Sequence, residues 1–346
     1  MSVSIRPSTT DSEPALAATA RRILVVGSSR SGTTWLAKIL DSYPGVYYSH
    51  EPLSKLQTPE FQQLVGRIVS QGKLSLEEQR QFDCILRTAN PRCVHLPFFP
   101  KRHNRWSPAV IAAAYASCRS LGVGRSLFAK LASPDVDESL QLLIKEVEWA
   151  IHLPSIIAAL NPKMIFIIRH PCAVVSSIVQ GQRLGVMPLS DIPTWYQEHT
   201  QICSELSLSE REITAASPLE FAAIQWVVHN TLYFRLHQLL PDSIWIVYRN
   251  LVTDPLGTTT RLFDAMNWEV GHTTRDFVST STSVSQTANR SLFRSRAGRY
   301  FSVQRNPQEG LTGWKRRLTA DEFLKIRDIV ERFPWRNYWP AEAFEF

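Results

Sequence analysis

A short apolar run that ends in glycine and opens into a hydroxyl-rich loop constrains this chain more than any other feature. Residues 22–27 read RILVVG and residues 27–35 read GSSRSGTTW. The first stretch has the pattern of a buried strand, and a helical pattern starts at Thr33. Gly27 and Gly32 have the GxxxxG spacing of a phosphate-binding loop. Such a turn lets backbone N–H groups converge on anionic oxygens, and the following helix N-terminus adds positive potential. The hydroxyls of Ser31, Thr33 and Thr34 can donate further hydrogen bonds.

The rest of the chain repeats the strand-then-helix rhythm. Short apolar runs lie at 45–49 (GVYYS), 142–145 (LLIK), 163–168 (KMIFII) and 244–248 (IWIVY). Helical patterns lie at 33–42, 150–160, 173–182, 219–240, 258–266 and 320–332. Apolar strands alternating with helices predict an α/β fold of three layers, P-loop-like, with a central parallel sheet and helices on both faces. Ligands of such sheets bind outside the carboxyl ends of the strands. Residues 1–21 are polar and aperiodic and are expected to be a disordered leader. Residues 22–346 are expected to form a single domain, with insertions at about 57–140 and 184–217. Segments this long either carry lids and substrate contacts or pack as helical periphery.

Charge and cysteine content narrow the function classes. The net charge is +7, yet the basic residues are not packed into one run. Basic tail, nucleic-acid patch and anionic-ligand pocket all fit that number. The five cysteines contain no CxxC or CxxxC pair, which argues against a zinc ribbon or a disulfide framework. Their odd number suits a reducing compartment. No apolar run approaches the length of a transmembrane segment, and a cytoplasmic location is expected.

Two departures set the loop apart from a nucleotide triphosphatase. The lysine that should follow the second glycine is Thr33, and the loop's basic residue is Arg30. The run at 163–168 leads into Arg169 where a Mg²⁺-binding aspartate would stand. The arrangement is wrong for Mg-ATP hydrolysis. Arg169 opens a second motif, RHPCAVVSS, running from a strand end through Pro171 into a helix and reaching Ser177. An arginine there suits a second phosphate, through its bidentate donor fork.

The two motifs together resemble the PAPS-dependent sulfotransferases, where PAPS is 3′-phosphoadenylyl sulfate. Residues 30–34, RSGTT, match that family's 5′-phosphosulfate motif. Arg169 and Ser177 match the spacing of its 3′-phosphate pair. The YRNL run at 248–251 is similar to the family's YEDL turn without its acidic pair, and GWKRRL at 313–318 also looks like the family. The likeness covers about residues 22–335, and it is closer to the carbohydrate, tyrosylprotein and bacterial types than to the cytosolic phenol and steroid type. It implies PAPS as donor and PAP (3′,5′-adenosine bisphosphate) as product, with no metal required because Arg30 acts catalytically with the helix N-terminus to stabilise the charge that develops at the 5′ side. It further implies a cofactor site of Arg30, Ser31, Gly32, Thr33, Thr34, Trp35, Arg169 and Ser177, with Tyr248, Arg299 and Lys315 as weaker members. The Arg-rich segment 291–305 is expected to be a flap or a solvated basic loop.

The same resemblance guides the choice of base. Phenol and steroid members carry IKTH at a strand end; here residues 144–147 read IKEV, so the histidine is missing and Lys145 remains to neutralise charge. The 45–49 run leads into Ser49-His50-Glu51-Pro52, and tyrosylprotein members place an acidic base after this strand. Glu51 is the expected general base, with His50 as neighbour or substitute. A salt bridge from Glu51 to the phosphate loop's arginines is the structural alternative. The expected acceptor is a hydroxyl of a carbohydrate or glycolipid, with no nucleic-acid partner. Two rival readings are a P-loop small-molecule kinase and a non-catalytic PAP- or sulfated-glycan-binding protein of the same fold. The family's KxxxTVxxxE dimer segment is not found near the C-terminus, so the sequence fixes no oligomeric state.

Overall fold

The computed structural model describes residues 22–121, 124–134, 140–283, 300, 307–334 and 337–339. Five strands form one all-parallel sheet: β1 (Arg22–Val26), β2 (Val46–His50), β3 (Gln141–Glu146), β4 (Lys163–Ile168) and β5 (Ile244–Val247), in the order β2-β3-β1-β4-β5. The central strand shows why the fold has three layers. Ile23 and Val25 point into one hydrophobic core and Leu24 and Val26 into another. Side chains alternate across a strand, so a strand apolar at every position feeds both faces. β4 does the same, sending Ile165 and Ile167 one way and Met164 and Phe166 the other.

The helices that position the site follow the strands. They are α1 (Thr33–Asp41), α2 (Pro171–Arg183), α3 (Pro218–Leu239), α4 (Tyr248–Thr253), α5 (His272–Thr282) and α6 (Ala320–Val330). Pro171 and Pro218 open α2 and α3, where a missing N–H costs nothing. Ser217 and Glu220 close a reciprocal capping box on α3, and Thr319 and Glu322 do so on α6. α2, α3 and α6 pack together through Val175, Trp226 and Ile326.

One strand ends short of its apolar run, and the 57–140 interval takes the helical alternative. The 244–248 run stops one residue early, because Tyr248 begins α4. The 57–140 interval is largely helical, with elements at Pro59–Gln71, Leu76–Arg87, Pro108–Leu121 and Arg125–Ala132. The last two build a small core of their own from Ile111, Cys118, Phe128 and Ala132. The intervening stretch is tied to the end of α1. Lys101 and Lys38 both engage the buried carboxylate of Asp41, Lys101 Nζ donates to the Tyr43 carbonyl at 3.1 Å, and Lys38 Nζ donates to the His95 carbonyl at 3.1 Å.

Candidate active site

The sheet order arrays the candidate residues in one line along the carboxyl edge. Glu51 follows β2, Lys145 and Glu146 end β3, the Gly27–Gly32 turn follows β1, Arg169 follows β4 and Tyr248 follows β5. β2 and β3 are neighbours in register, with His50 opposite Lys145. That adjacency brings together residues far apart in sequence.

The loop after β1 is a tight cradle. Arg30 has φ 67° and Gly32 has φ 102°, both left-handed. A Cβ on Gly32 would lie 2.6 Å from the Tyr248 ring, and one on Gly27 would lie 2.5 Å from the Ile167 carbonyl oxygen. Only glycine fits these approaches. The loop's Ser28 and Ser31 hydroxyls are buried with no hydrogen-bond partner among the described residues. Orphaned buried hydroxyls are costly, and a bound anion is a ready partner for them. Thr33 is buried and Thr34 half-buried at the start of α1. Trp35 is buried on the core side, where its indole N–H donates to Ser281 Oγ at 3.0 Å and its ring meets Tyr248 edge-on at 5.9 Å. It therefore braces the loop from beneath.

The second clamp gathers around Arg169. Its Nη1 donates to the Arg30 carbonyl at 2.8 Å and its Nη2 to the Gly310 carbonyl at 2.5 Å, while Nε is buried without a partner among the described residues. The guanidinium lies over the Tyr248 ring at 4.5 Å. The Trp226 indole donates to the Arg169 carbonyl at 3.0 Å and fixes the strand end. Arg30 reaches the same place: its Nε donates to Ser177 Oγ at 3.2 Å and its Nη2 to the Tyr300 carbonyl at 3.2 Å. Arg30 is thus joined to the Arg169–Ser177 clamp. Burial pushes the Arg169 guanidinium below its ordinary pKa; the Tyr248 hydroxyl opposes this, and the charges of Arg30 and Arg317 add to it. Guanidiniums that repel one another around an unpartnered donor make a site suited to an anion.

Arg317 and Tyr300 were not singled out from sequence. Arg317 belongs to the GWKRRL run, where its Nη1 donates to Gln180 Oε1 at 3.1 Å. Tyr300 lies in the Arg-rich segment, with Arg30 4.4 Å over its ring. The other members of that run and segment fare differently. Lys315 is exposed, with Nζ 5.5 Å over the Trp314 ring, and Arg299 lies outside the described residues.

The β2–β3 end holds the charged cluster. Glu51 adopts φ 54° and ψ 48°, and its N–H donates to the Lys145 carbonyl at 2.9 Å. A non-glycine residue held there stores strain of about 1–3 kcal/mol, a pattern that clusters at functional sites. The Glu51 carboxylate pairs with Lys145, with Lys55 at 2.9 Å, and lies 3.7 Å from His50 Nε2. Its ion pairs among the described residues are with lysines, not with the loop's arginines. Burial pushes the carboxyl up, but the Lys145 and Lys55 charges outweigh it and hold the net value well below the carboxylate range. Burial, with the Lys145 charge, holds His50 well below its ordinary value, and its Nδ1 is 2.7 Å from the Tyr48 hydroxyl. Lys55 is a partner that the i,i+4 spacing from Glu51 could have signalled.

Glu146 points the other way and serves structure. It is fully buried and accepts from the Leu53 N–H at 2.7 Å. Burial pushes its carboxyl up to about 8, with the Glu51 charge adding to the rise and the Leu53 N–H and Lys145 opposing it.

The sulfotransferase family's sequence pattern matches residues 22–273. Among solved structures, the sulfotransferase domain from the curacin biosynthetic pathway is 15% identical with TM-score 0.44, covering 90% of this chain and 96% of that one. The sulfotransferase domain from the Synechococcus PCC 7002 olefin synthase is 16% identical with TM-score 0.46, covering 90% and 93%. The mouse sulfotransferase SULT7A1, solved with PAP, is 13% identical with TM-score 0.47, covering 93% and 86%. No curated protein matches the sequence. A family match over residues 22–273, most of the chain, gives the conclusion that this chain belongs to the sulfotransferase family.

Proposed function

We propose that this sulfotransferase moves the sulfuryl group of PAPS to a hydroxyl of a carbohydrate or glycolipid, with Glu51 as general base. One observation carries the donor assignment. Two clamps with orphaned donors stand apart on one sheet edge, Ser28 and Ser31 in the loop and Arg169 Nε beside Arg30 and Ser177. PAPS carries two separated anionic groups, and this donor set fits both. The loop amides and hydroxyls would hold the 5′ side; Arg169, Arg30 and Ser177 would hold the 3′-phosphate. When bound, the donor supplies an activated sulfuryl group.

The chain's own residues then do three things. The loop and α1 fix donors where charge develops, which lowers the barrier without reorganisation. Lys145 places a buried cation beside the same edge. Glu51 accepts the proton of the acceptor hydroxyl. Lys145 and Lys55 keep it ionised at neutral pH but make it a weak acceptor at rest. Sharing the Lys145 charge with a second anion raises its basicity when the site fills.

The melting temperature tests the donor choice. PAP raises it by several degrees at saturating concentration, because a ligand bound only to the folded state stabilises it. Mg-ATP leaves it near the value in buffer. The reverse pattern favours the kinase reading.

A further inference from the structure

The helical layer of the 57–140 interval has a surface that the transfer reaction does not use. From residue 84 to residue 134 the sequence contains no Asp or Glu. Arg92, Arg102, Arg105, Arg119, Arg125 and Lys130 are all exposed in that stretch. Large apolar side chains stand among them: Leu127 is 56% exposed, Trp106 50%, Leu96 45% and Val110 41%. The Pro108–Leu121 helix explains part of this. It buries Ile111 and Cys118 against Phe128, and its opposite face presents Ala109, Val110, Ala113, Ala116 and Ser117 to solvent without a charge. A surface helix of an ordinary domain puts its charged residues on that outward face. Here the outward face is apolar, with Arg105 exposed just before the helix and Arg119 exposed in its last turn.

We infer that this layer docks on an anionic lipid surface. Charge complementarity selects the occupant. A second copy of the chain would set basic face against basic face, which repels. An acidic polysaccharide would use the arginines but not the exposed tryptophan and aliphatic residues. A bilayer with anionic headgroups uses both, since apolar side chains insert at the interface and each Lys or Arg adds attraction. The layer also adjoins the β2 side of the sheet. A cavity of about 60 Å³ lies between them, lined by Tyr47, Tyr48, His95, Phe98, Phe99 and Ile111. The His95 ring is 5.0 Å from His50. The docking itself stands without the sulfuryl-transfer reading. That a lipid-borne hydroxyl is thereby brought to Glu51 is a consequence that does rest on it.

The experiment is vesicle co-sedimentation of the full chain, with no donor present. Vesicles of phosphatidylcholine mixed with phosphatidylglycerol carry the protein down, and added salt releases it. Pure phosphatidylcholine vesicles do not. The Arg102→Ala, Arg119→Ala double variant partitions about 30-fold more weakly at the usual contribution per surface charge. Trp106→Ala partitions about tenfold more weakly, the value of one large apolar side chain withdrawn from the interface. Both keep the wild-type melting temperature and PAP binding. Equal partitioning to both vesicle types, or variants that partition like wild type, overturns the inference. So does retention on heparin without vesicle binding, which assigns the face to an acidic polysaccharide.

Discussion

Glu51→Gln lowers turnover by about 10²–10⁴-fold, the usual contribution of a positioned base, and leaves PAP affinity unchanged. Glutamine is the informative replacement. Lys145 is buried and its side chain pairs with Glu51. Alanine would strip that partner away, and an unpaired buried charge destabilises the fold by about 3–5 kcal/mol. Glutamine keeps an oxygen for Lys145 but cannot take a proton at working pH. Loss of turnover at intact melting temperature and intact PAP affinity identifies a proton acceptor. Loss of all three together identifies a structural carboxylate.

The pH profile adds a second reading of the same residue. The neighbouring cations hold the Glu51 carboxyl below its ordinary value, so it stays ionised as pH falls. The wild-type rate therefore does not drop from about pH 8 to about pH 6 through protonation of this group. His50, also held below its ordinary value, keeps its neutral form over the same range. The variants separate the two: a rate that survives in Glu51→Gln and collapses in His50→Ala moves the base to His50.

Arg169→Ala weakens PAP binding by roughly 10–100-fold, the range expected for hydrogen bonds from a charged donor. The residue is well suited to this effect. Two of its nitrogens already hold the Arg30 and Gly310 carbonyls, which aims the remaining donor and stiffens the loop. Arg169→Lys restores charge but not the fork, so its affinity lies between the two. Calorimetry with PAP checks this. Unchanged affinity with a lowered melting temperature would leave Arg169 as a brace for the loop and remove it from the ligand site.

Much of this site was legible before the structure. RSGTT sits on the strand–turn–helix that its glycines require, and Arg169 and Ser177 lie at a strand end and on the next helix. Local pattern suffices there, because each motif is contiguous. The pairing of Glu51 with Lys145 was not legible in the same way. Periodicity puts each at a strand end, but their contact depends on β2 lying next to β3, and hydrophobic alternation carries no sheet order. Arg30 is a similar case. Its motif put it with the 5′ group, yet its left-handed backbone turns the side chain toward Ser177. The Lys38–Asp41–Lys101 cluster was invisible because its members sit in segments that read separately as a helix and a loop. The outward face of Pro108–Leu121 was also hidden: the only charged residue of the helix is Arg119 in its last turn, so the preceding turns give no polar side by which sequence could tell the buried face from the exposed one.

The most direct measurement is transfer of radioactive sulfur from labelled PAPS to a panel of carbohydrates, glycolipids and phenols, run with wild type and Glu51→Gln. The account predicts a labelled carbohydrate or glycolipid and an equal amount of PAP from wild type, with little of either from the variant. Tight PAP binding with no labelled hydroxyl acceptor, or equal labelling by the two proteins, would contradict it.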